Sequence, residues 1–418
     1  MRGLRRWWDS SAGGLPGTFW YLWSGILINR AGAFAMLFLS LYLTAARGAS
    51  PALAGLVVGA YGVGGAAGTL LGGVLADRWG RRSTLLAAHL VAAGLMVALA
   101  FSRHLLVIAV LAALVGVAHS MPSPAFVAAI VDVVPEERRA RAFNLQFWAF
   151  NLGMAVASLL AGVLAEASYL ALFLVDAGST LVTAVVIALK VPETLDRRIR
   201  VPAAPGGRRP GLHTALTDRV FLTFVGLTFL LAVLTMQTST IMPLAMRADG
   251  LRPSAYGLVV ALGGALIVAG QLFVPRLIAP YRKAAVLSIS TGLMALGFGT
   301  LSAADHLPVY LGAAVVWTVG QMLAAPPNAQ INADLAPPEL RARYQSVFYL
   351  TFPAASFVAP ALGGLSIQHL GERHWLVVGG LGLVAAVGHL LAGPVRERRV
   401  AALRAATAER EKALAGER

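Results

Sequence analysis

A chain of 418 residues with 58% hydrophobic and 13% charged side chains, and a mean hydropathy of +0.73, cannot cover a water-facing surface, so a soluble globular domain is excluded. The formal charge of +15 does not point to nucleic acid, because the basic residues fall in short bursts between apolar runs instead of lining one face with polar and aromatic partners. The absence of cysteine rules out a disulfide framework or a thiolate metal centre, and the eight histidines show neither HxxxH nor HExxH spacing, so no metal site is expected.

A bilayer core of roughly 30 Å needs about 20 apolar residues per helical crossing. Twelve runs of that length occur, at 18–45, 51–76, 83–102, 105–131, 142–165, 169–190, 219–246, 253–279, 284–302, 307–330, 344–368 and 374–395. They are continuous rather than alternating, which predicts helices and not barrel strands. The first run lacks a short apolar core with a small-residue cleavage site and reads as a retained helix rather than a signal peptide.

The basic residues set the orientation. Arg47, Arg103, Arg247, Arg252 and Arg373 fall on one side of the runs and Arg30 and Arg276 inside them, while the rest of the 34 fall on the other side. Both termini and the 191–218 linker are therefore expected in the cytoplasm, with Trp7 and Trp8 of "RGLRRWW" as an interfacial anchor or part of a free tail. Only Lys190, Lys283 and Lys412 are lysine, an arginine bias that suggests a GC-rich bacterial genome and hence the bacterial inner membrane.

The chain repeats itself. Shifted by 202 residues, "DVVPEERRAR" (132–141) falls on "DLAPPELRAR" (334–343) with six identities in ten. The same shift places Gly48, Pro51 and Gly55 on Gly250, Pro253 and Gly257, Pro124 on Pro326, and Gly162 on Gly364. The expected fold is an all-α polytopic membrane protein with twelve transmembrane helices in two pseudo-symmetric six-helix bundles. Its parts are an N-terminal tail (1–17), one bundle (18–190), a Pro/Gly/Arg-rich linker (191–218), a second bundle (219–395) and a charged, solvated helical tail (396–418).

Between the second and third runs the chain reads "GGVLADRWGRR", which matches the signature G-x-x-x-D-R-x-G-R-R at Gly73, Asp77, Arg78, Gly80, Arg81 and Arg82. With the runs, the repeat and a central loop carrying "PET" (192–194), the chain resembles the major facilitator superfamily over nearly its whole length. The resemblance implies alternating access and a gating role for these six residues. Gly73 is expected to admit a neighbouring backbone, Gly80 to permit a tight turn, and Asp77 to cap a helix or pair with an arginine and so latch the halves on the cytoplasmic side. The second copy, "PRLIAPYRKAA", has Ala279 in place of Asp77. Asp132, Arg139 and Arg141, with Asp334, Arg341 and Arg343, are companion clusters expected at the interface between the halves, or plain positive-inside charges.

The pattern is similar to bacterial multidrug-efflux members of the drug/proton antiporter type. Two departures stand out: the fifth run has Ala157 and Ser158 where antiporters usually carry Gly-Pro, and Ala113 stands where an arginine is usual. Gly153 and Gly162 of that pattern are present, and Pro360, Gly363 and Gly364 stand in the eleventh run.

A charge at a helix centre costs at least about 2.5 to 3.5 kcal/mol on insertion scales, so buried ionisable groups mark function. Three lie deep: Arg30, His119 and Asp176, the candidates for proton coupling, with a permanent ion pair, a packing contact or a neutral histidine as the alternatives. In the family the first and fourth helices line the cavity, which favours Arg30 and His119; the sixth usually supports, which counts against Asp176. The first, fourth, seventh and tenth runs hold no mid-membrane acid, which favours neutral, zwitterionic or anionic amphiphiles over cations. Asn29, Gln146, Trp148, Asn151, Gln237, Trp317 and Gln321 complete the candidate cavity set, each with helix packing or lipid contact as the alternative.

"YGVGGAAG" (61–68) has dinucleotide-fingerprint spacing but lies inside a span and follows no strand; Gly64, Gly68 and Gly72 instead form a small-residue packing seam. No cofactor is expected, and no GxxxxGK[ST] is present to support an ATP-driven engine. The expected function is secondary transport, as proton-coupled export of small amphiphiles by a monomer in membrane lipid. The alternatives are a uniporter or symporter for a sugar or other metabolite, and a receptor or scaffold that no longer transports.

Overall fold

The computed structural model describes residues 13–195, 213–271, 273–337 and 340–416, and these contain helices and turns with no strand. The first run is α1 (Gly17–Ala31) and α2 (Leu39–Ala46), separated by a break at 32–35 and a 3-10 turn, Met36–Phe38. Then come α3 (Pro51–Arg78), α4 (Arg81–Phe101), α5 (Leu105–Ser120), α6 (Pro122–Val133), α7 (Glu136–Ala167) and α8 (Tyr169–Lys190). After the short α9 (His213–Thr217) follow α10 (Arg219–Thr240), α11 (Met242–Ala248), α12 (Pro253–Gly270), α13 (Val274–Ile278), α14 (Lys283–Gly299) and α15 (Leu307–Leu335). The chain ends with α16 (Arg341–Tyr349), α17 (Thr351–Leu370), α18 (His374–Leu391) and α19 (Gly393–Gly416).

Among the described residues eleven stretches are long and apolar enough to cross a membrane; the last, Arg343–Leu391, holds both α17 and α18, divided at Gly371 with φ +56°. Prolines mark two of the broken spans. Pro122 and Pro124 begin α6 after α5 ends at Ser120, and Pro243 lies in the first turn of α11, where a missing N–H costs no helical bond. α7 also departs from the hydropathy bounds, starting at Glu136 rather than 142. Pro135 at its cap and Glu136 and Glu137 in its first turn favour a helix start outside the apolar window.

Leucines and valines such as Leu70, Leu106 and Leu189 cover the exterior, the reverse of a soluble protein. Helices before 190 pack mainly on one another, as do those after 213. Within the first group the glycine seam faces α5, where Gly64, Gly68 and Gly72 sit against the carbonyls of Ala113, Val117 and Met121 with no room for a methyl group. Gly73 does not join this seam: nothing approaches the side where its Cβ would be, so the expected backbone approach does not occur there.

The two groups meet along α3 with α17 and along α7 with α12. Gly55 receives the carbonyl of Pro360 and the Cα of Gly364; Gly257 receives the carbonyl of Ser158 and the Cα of Gly162. The repeat is thus a packing symmetry, because the 202 shift exchanges these contacts. Side chains follow it: Gln368 Oε1 accepts from the Ala52 N–H at 3.2 Å, and Glu166 Oε1 from the Ser254 N–H at 3.1 Å. Both helix starts carry proline at N1 after a glycine with positive φ, Gly48 at +65° and Gly250 at +75°.

Candidate functional site

At the opposite end of α3, Gly80 turns the chain with φ +115° and serves as cap of α4. A glycine cap has no oxygen to offer the first N–H groups of a helix, and Glu193 supplies one: its Oε1 accepts from Arg81 at 2.7 Å and Arg82 at 3.4 Å. The residue stands in "PET", and the missing cap at Gly80 is the sequence signal that an acid had to come from elsewhere. Arg81 joins Asp77 at 3.0 Å and Asp132 at 3.2 Å, and Arg82 donates to the Ala188 carbonyl at 2.6 Å. The Asp77 side chain is 75% exposed and Arg78 is exposed, and among the described residues no ion pair joins the two halves at this end. The expected latch is therefore unengaged, because the two groups of helices are joined at their other ends.

The companion clusters likewise knit each half to itself. Arg139 donates to the carbonyls of Val131 and Val134, and Arg141 to that of Gly13 at 3.0 Å. Asp334 holds Lys283 at 2.7 Å and Arg404 at 3.0 Å, while Arg343 keeps one buried guanidinium nitrogen without a partner. The side chain of Arg341 lies outside the described residues, as do Trp7, Trp8 and residues 196–212 of the linker. Since the shift carries Arg81 to Lys283 and Asp132 to Asp334, the second motif copy loses Asp77 but keeps the ion pair beside it. The C-terminal tail is helical, and one face of its first turns is docked while Glu397 and Arg398 stay exposed: Arg396 is buried and donates to the His389 carbonyl at 2.6 Å, Arg399 reaches Asp218, and Glu397 binds Arg282 at 2.8 Å. Burial draws the Arg396 guanidinium below its ordinary pKa, and the hydrogen bonds that Arg282 donates to Glu397 raise its own.

Between the halves, part-way along the spans, lies a cavity of about 390 Å³ walled by Arg30, Tyr61, His119, Asp176, Met236, Thr240, Phe352 and Ser356 among others. A second cavity of about 320 Å³ opens within the first half and is lined by Ser123, Gln146 and the rings of Phe126, Phe143, Phe147 and Phe150. Asn29, Arg30 and His119 line both. Packing fixes Arg30: Gly153 of α7 admits the α1 backbone at Arg30 and Ala31, and the guanidinium lies 4.5 Å from the centroid of the Phe150 ring.

Asp176 reaches this wall because α1 is broken. Its Oδ2 accepts from the Ala35 N–H at 3.2 Å, at the segment where helical acceptors are lost, while Oδ1 has no hydrogen-bond partner among the described residues. The side chain is 1% exposed, and Asp176 is the only carboxylate among the residues lining the central cavity. Gly32 at the same break lies against Ser179 of α8, and Asn29 donates to Thr180 at 3.3 Å. The sixth span thus contributes to the cavity wall, contrary to the supporting role expected for it.

Other sequence candidates lie elsewhere. Trp317 is buried in the second half, stacked on Phe298 at 5.0 Å, and Gln237 is buried against Gly363, so both serve packing between helices. Asn151 returns its amide to the Phe147 carbonyl, and Trp148 and Gln321 are on neither cavity wall. Hydropathy alone did not single out Tyr61, Ser356 or Phe352, since a span apolar on every face gives no sign of which face meets the cavity.

An all-helical chain with these spans, an internal twofold repeat and, on the repeat interface, a largely apolar cavity that carries Arg30, His119 and Asp176 has the architecture of a secondary membrane transporter. The sequence model of the Major Facilitator Superfamily matches residues 22–326 and 226–416, and the chain belongs to that family. It is 27% identical to the uncharacterized MFS-type transporter YttB of Bacillus subtilis, over 84% of this chain and 88% of the relative. A Na(+), Li(+), K(+)/H(+) antiporter of Planococcus maritimus is 25% identical over 78% and 84% of the two chains. A multidrug resistance protein, MdtH of Klebsiella pneumoniae, is 23% identical over 75% and 79%. The fold matches the crystal structure of the nucleoside transporter NupG with a TM-score of 0.76 at 14% identity, over 89% of this chain and 99% of that one.

Proposed function

We propose that the chain is a proton-coupled exporter of small amphiphilic molecules, working by alternating access in the bacterial inner membrane as a monomer. In this reading twelve spans form bundles at 18–190 and 219–395, both termini are cytoplasmic, and the structure is the state closed on the outer side. The reading rests on Asp176, a buried carboxylate on the central cavity with one oxygen on the broken backbone of the first span and the other unpartnered. Protonation there weakens the acceptor that meets the Ala35 N–H, because a carboxylic acid accepts less strongly than a carboxylate, which ties the proton to the position of α2 and hence to the closed end. The relatives named as a cation/proton antiporter and a multidrug resistance protein support the direction of transport and the breadth of substrate.

The test is a proteoliposome assay in which an imposed pH gradient drives accumulation of a panel of neutral and charged amphiphiles. Accumulation in the native chain, lost in Asp176→Asn with exchange of substrate retained, supports proton coupling at this residue. Equilibration without accumulation overturns antiport for those compounds and leaves the uniporter.

A further inference from the structure

We infer that the partition shared by the two cavities is a binding site for an organic anion, a carboxylate on an apolar or aromatic body, with Arg30 as its counter-ion. Arg30 is a mid-membrane guanidinium, and among the described residues no carboxylate lies within salt-bridge distance of it. Such a charge requires compensation; Asp176 on the same wall acts on it only from beyond salt-bridge distance, and its direct partner is the face of Phe150, so among the described residues no carboxylate meets the donor edges of the guanidinium. Two neutral groups on the same partition can add hydrogen bonds: the amide of Asn29, and His119, whose Nε2 has no partner. A planar guanidinium matches a carboxylate through two parallel N–H donors, a geometry that an alcohol or an amine cannot use.

The rest of the anion has a place as well. The four phenylalanines beside Arg30 line a cavity of about 320 Å³, within the range of roughly 300 to 1,000 Å³ usual for small-molecule sites. The other charge on these walls does not favour a cation instead. Asp176 is 1% exposed with Oδ2 committed to Ala35, whereas Arg30 is only partly buried and meets both cavities. The inference rests on the proposed function only in taking this cavity as the substrate site.

The experiment is isothermal titration of the purified full-length chain, with no pH gradient, against 2-naphthoate, 2-naphthalenemethanol and 2-naphthylmethylammonium, which share one ring system. Naphthoate is expected to bind at least about tenfold more tightly than the other two, the scale of a charge-assisted pair. Arg30→Gln removes that preference while the alcohol keeps its affinity, and Arg30→Lys restores part of it. Equal binding of the three probes by the native chain, a preference for the ammonium, or an equal loss of all three in a folded Arg30→Gln protein overturns the site. The native-chain comparison decides even if a variant does not fold. Because no gradient is applied, the result is independent of proton coupling: a preference for naphthoate together with failure of gradient-driven accumulation leaves the site standing and removes the antiporter.

Discussion

The carbonyl of Pro360 is packed so closely on Gly55 that a methyl group at that glycine has no space. The carbonyl of Ser158, one repeat earlier, stands in the same relation to Gly257. Proline and serine are thus interchangeable in this contact, because it is made by a backbone oxygen. The Gly-Pro pair absent from the fifth span is not needed for it.

Gly55→Ala and Gly257→Ala wedge the joined end apart, since the neighbour is backbone and cannot rotate away. Each substitution is expected to shift the population towards the state open at the 51/253 end. The chain has no cysteine, so Ser356→Cys gives a single reporter on the cavity wall. An impermeant maleimide supplied at that end should label it faster in the glycine variants; unchanged labelling in both would count against the contact as a gate.

The caps at that end differ in charge. Removing the acceptor in Glu166→Ala is expected to destabilise by about 1 kcal/mol, as for other helix caps, and Gln368→Ala by a similar amount. Glu166→Gln keeps an acceptor for Ser254 and should cost less than the alanine by about that hydrogen bond; what it still loses against the native chain is the attraction of the carboxylate to the helix N-terminus and to Arg252. Thermal unfolding of the four proteins checks the order.

Gly80→Ala combines a disfavoured φ of +115° with a side chain directed into the Glu193 carboxylate. Backbone strain of this kind costs on the order of 1–3 kcal/mol, and the cap of α4 is displaced with it. A lower unfolding temperature for Gly80→Ala than for Gly73→Ala is expected, because Gly73 has open space around it.

Asp77→Asn separates stability from movement. The side chain is exposed and pairs only one turn along its own chain, so the change in stability should stay within roughly 1 kcal/mol. If Asp77 latches the halves in the opposite state, transport slows while the protein remains folded in the membrane. Unaltered flux would exclude that role.

Much of this architecture was legible without coordinates. Continuous apolar runs had to be helices because a bilayer offers backbone groups no other partner, and the repeat of Gly55 and Gly162 at Gly257 and Gly364 was visible in the sequence, though only the structure places these glycines where the halves meet. The seam of Gly64, Gly68 and Gly72 followed from spacing, since only residues four apart share one helix face. Arg30, His119 and Asp176 stood out because charge in an apolar run needs a reason. Tertiary structure decided what those groups meet. The break at 32–35 brings Asp176 onto a wall that its own helix gave no sign of reaching, and Trp317, polar-edged and central in its span, turns to Phe298 instead. Both outcomes depend on how helices rotate about their axes. In a membrane protein hydropathy cannot report that rotation, because the faces towards lipid and towards neighbouring helices are equally apolar.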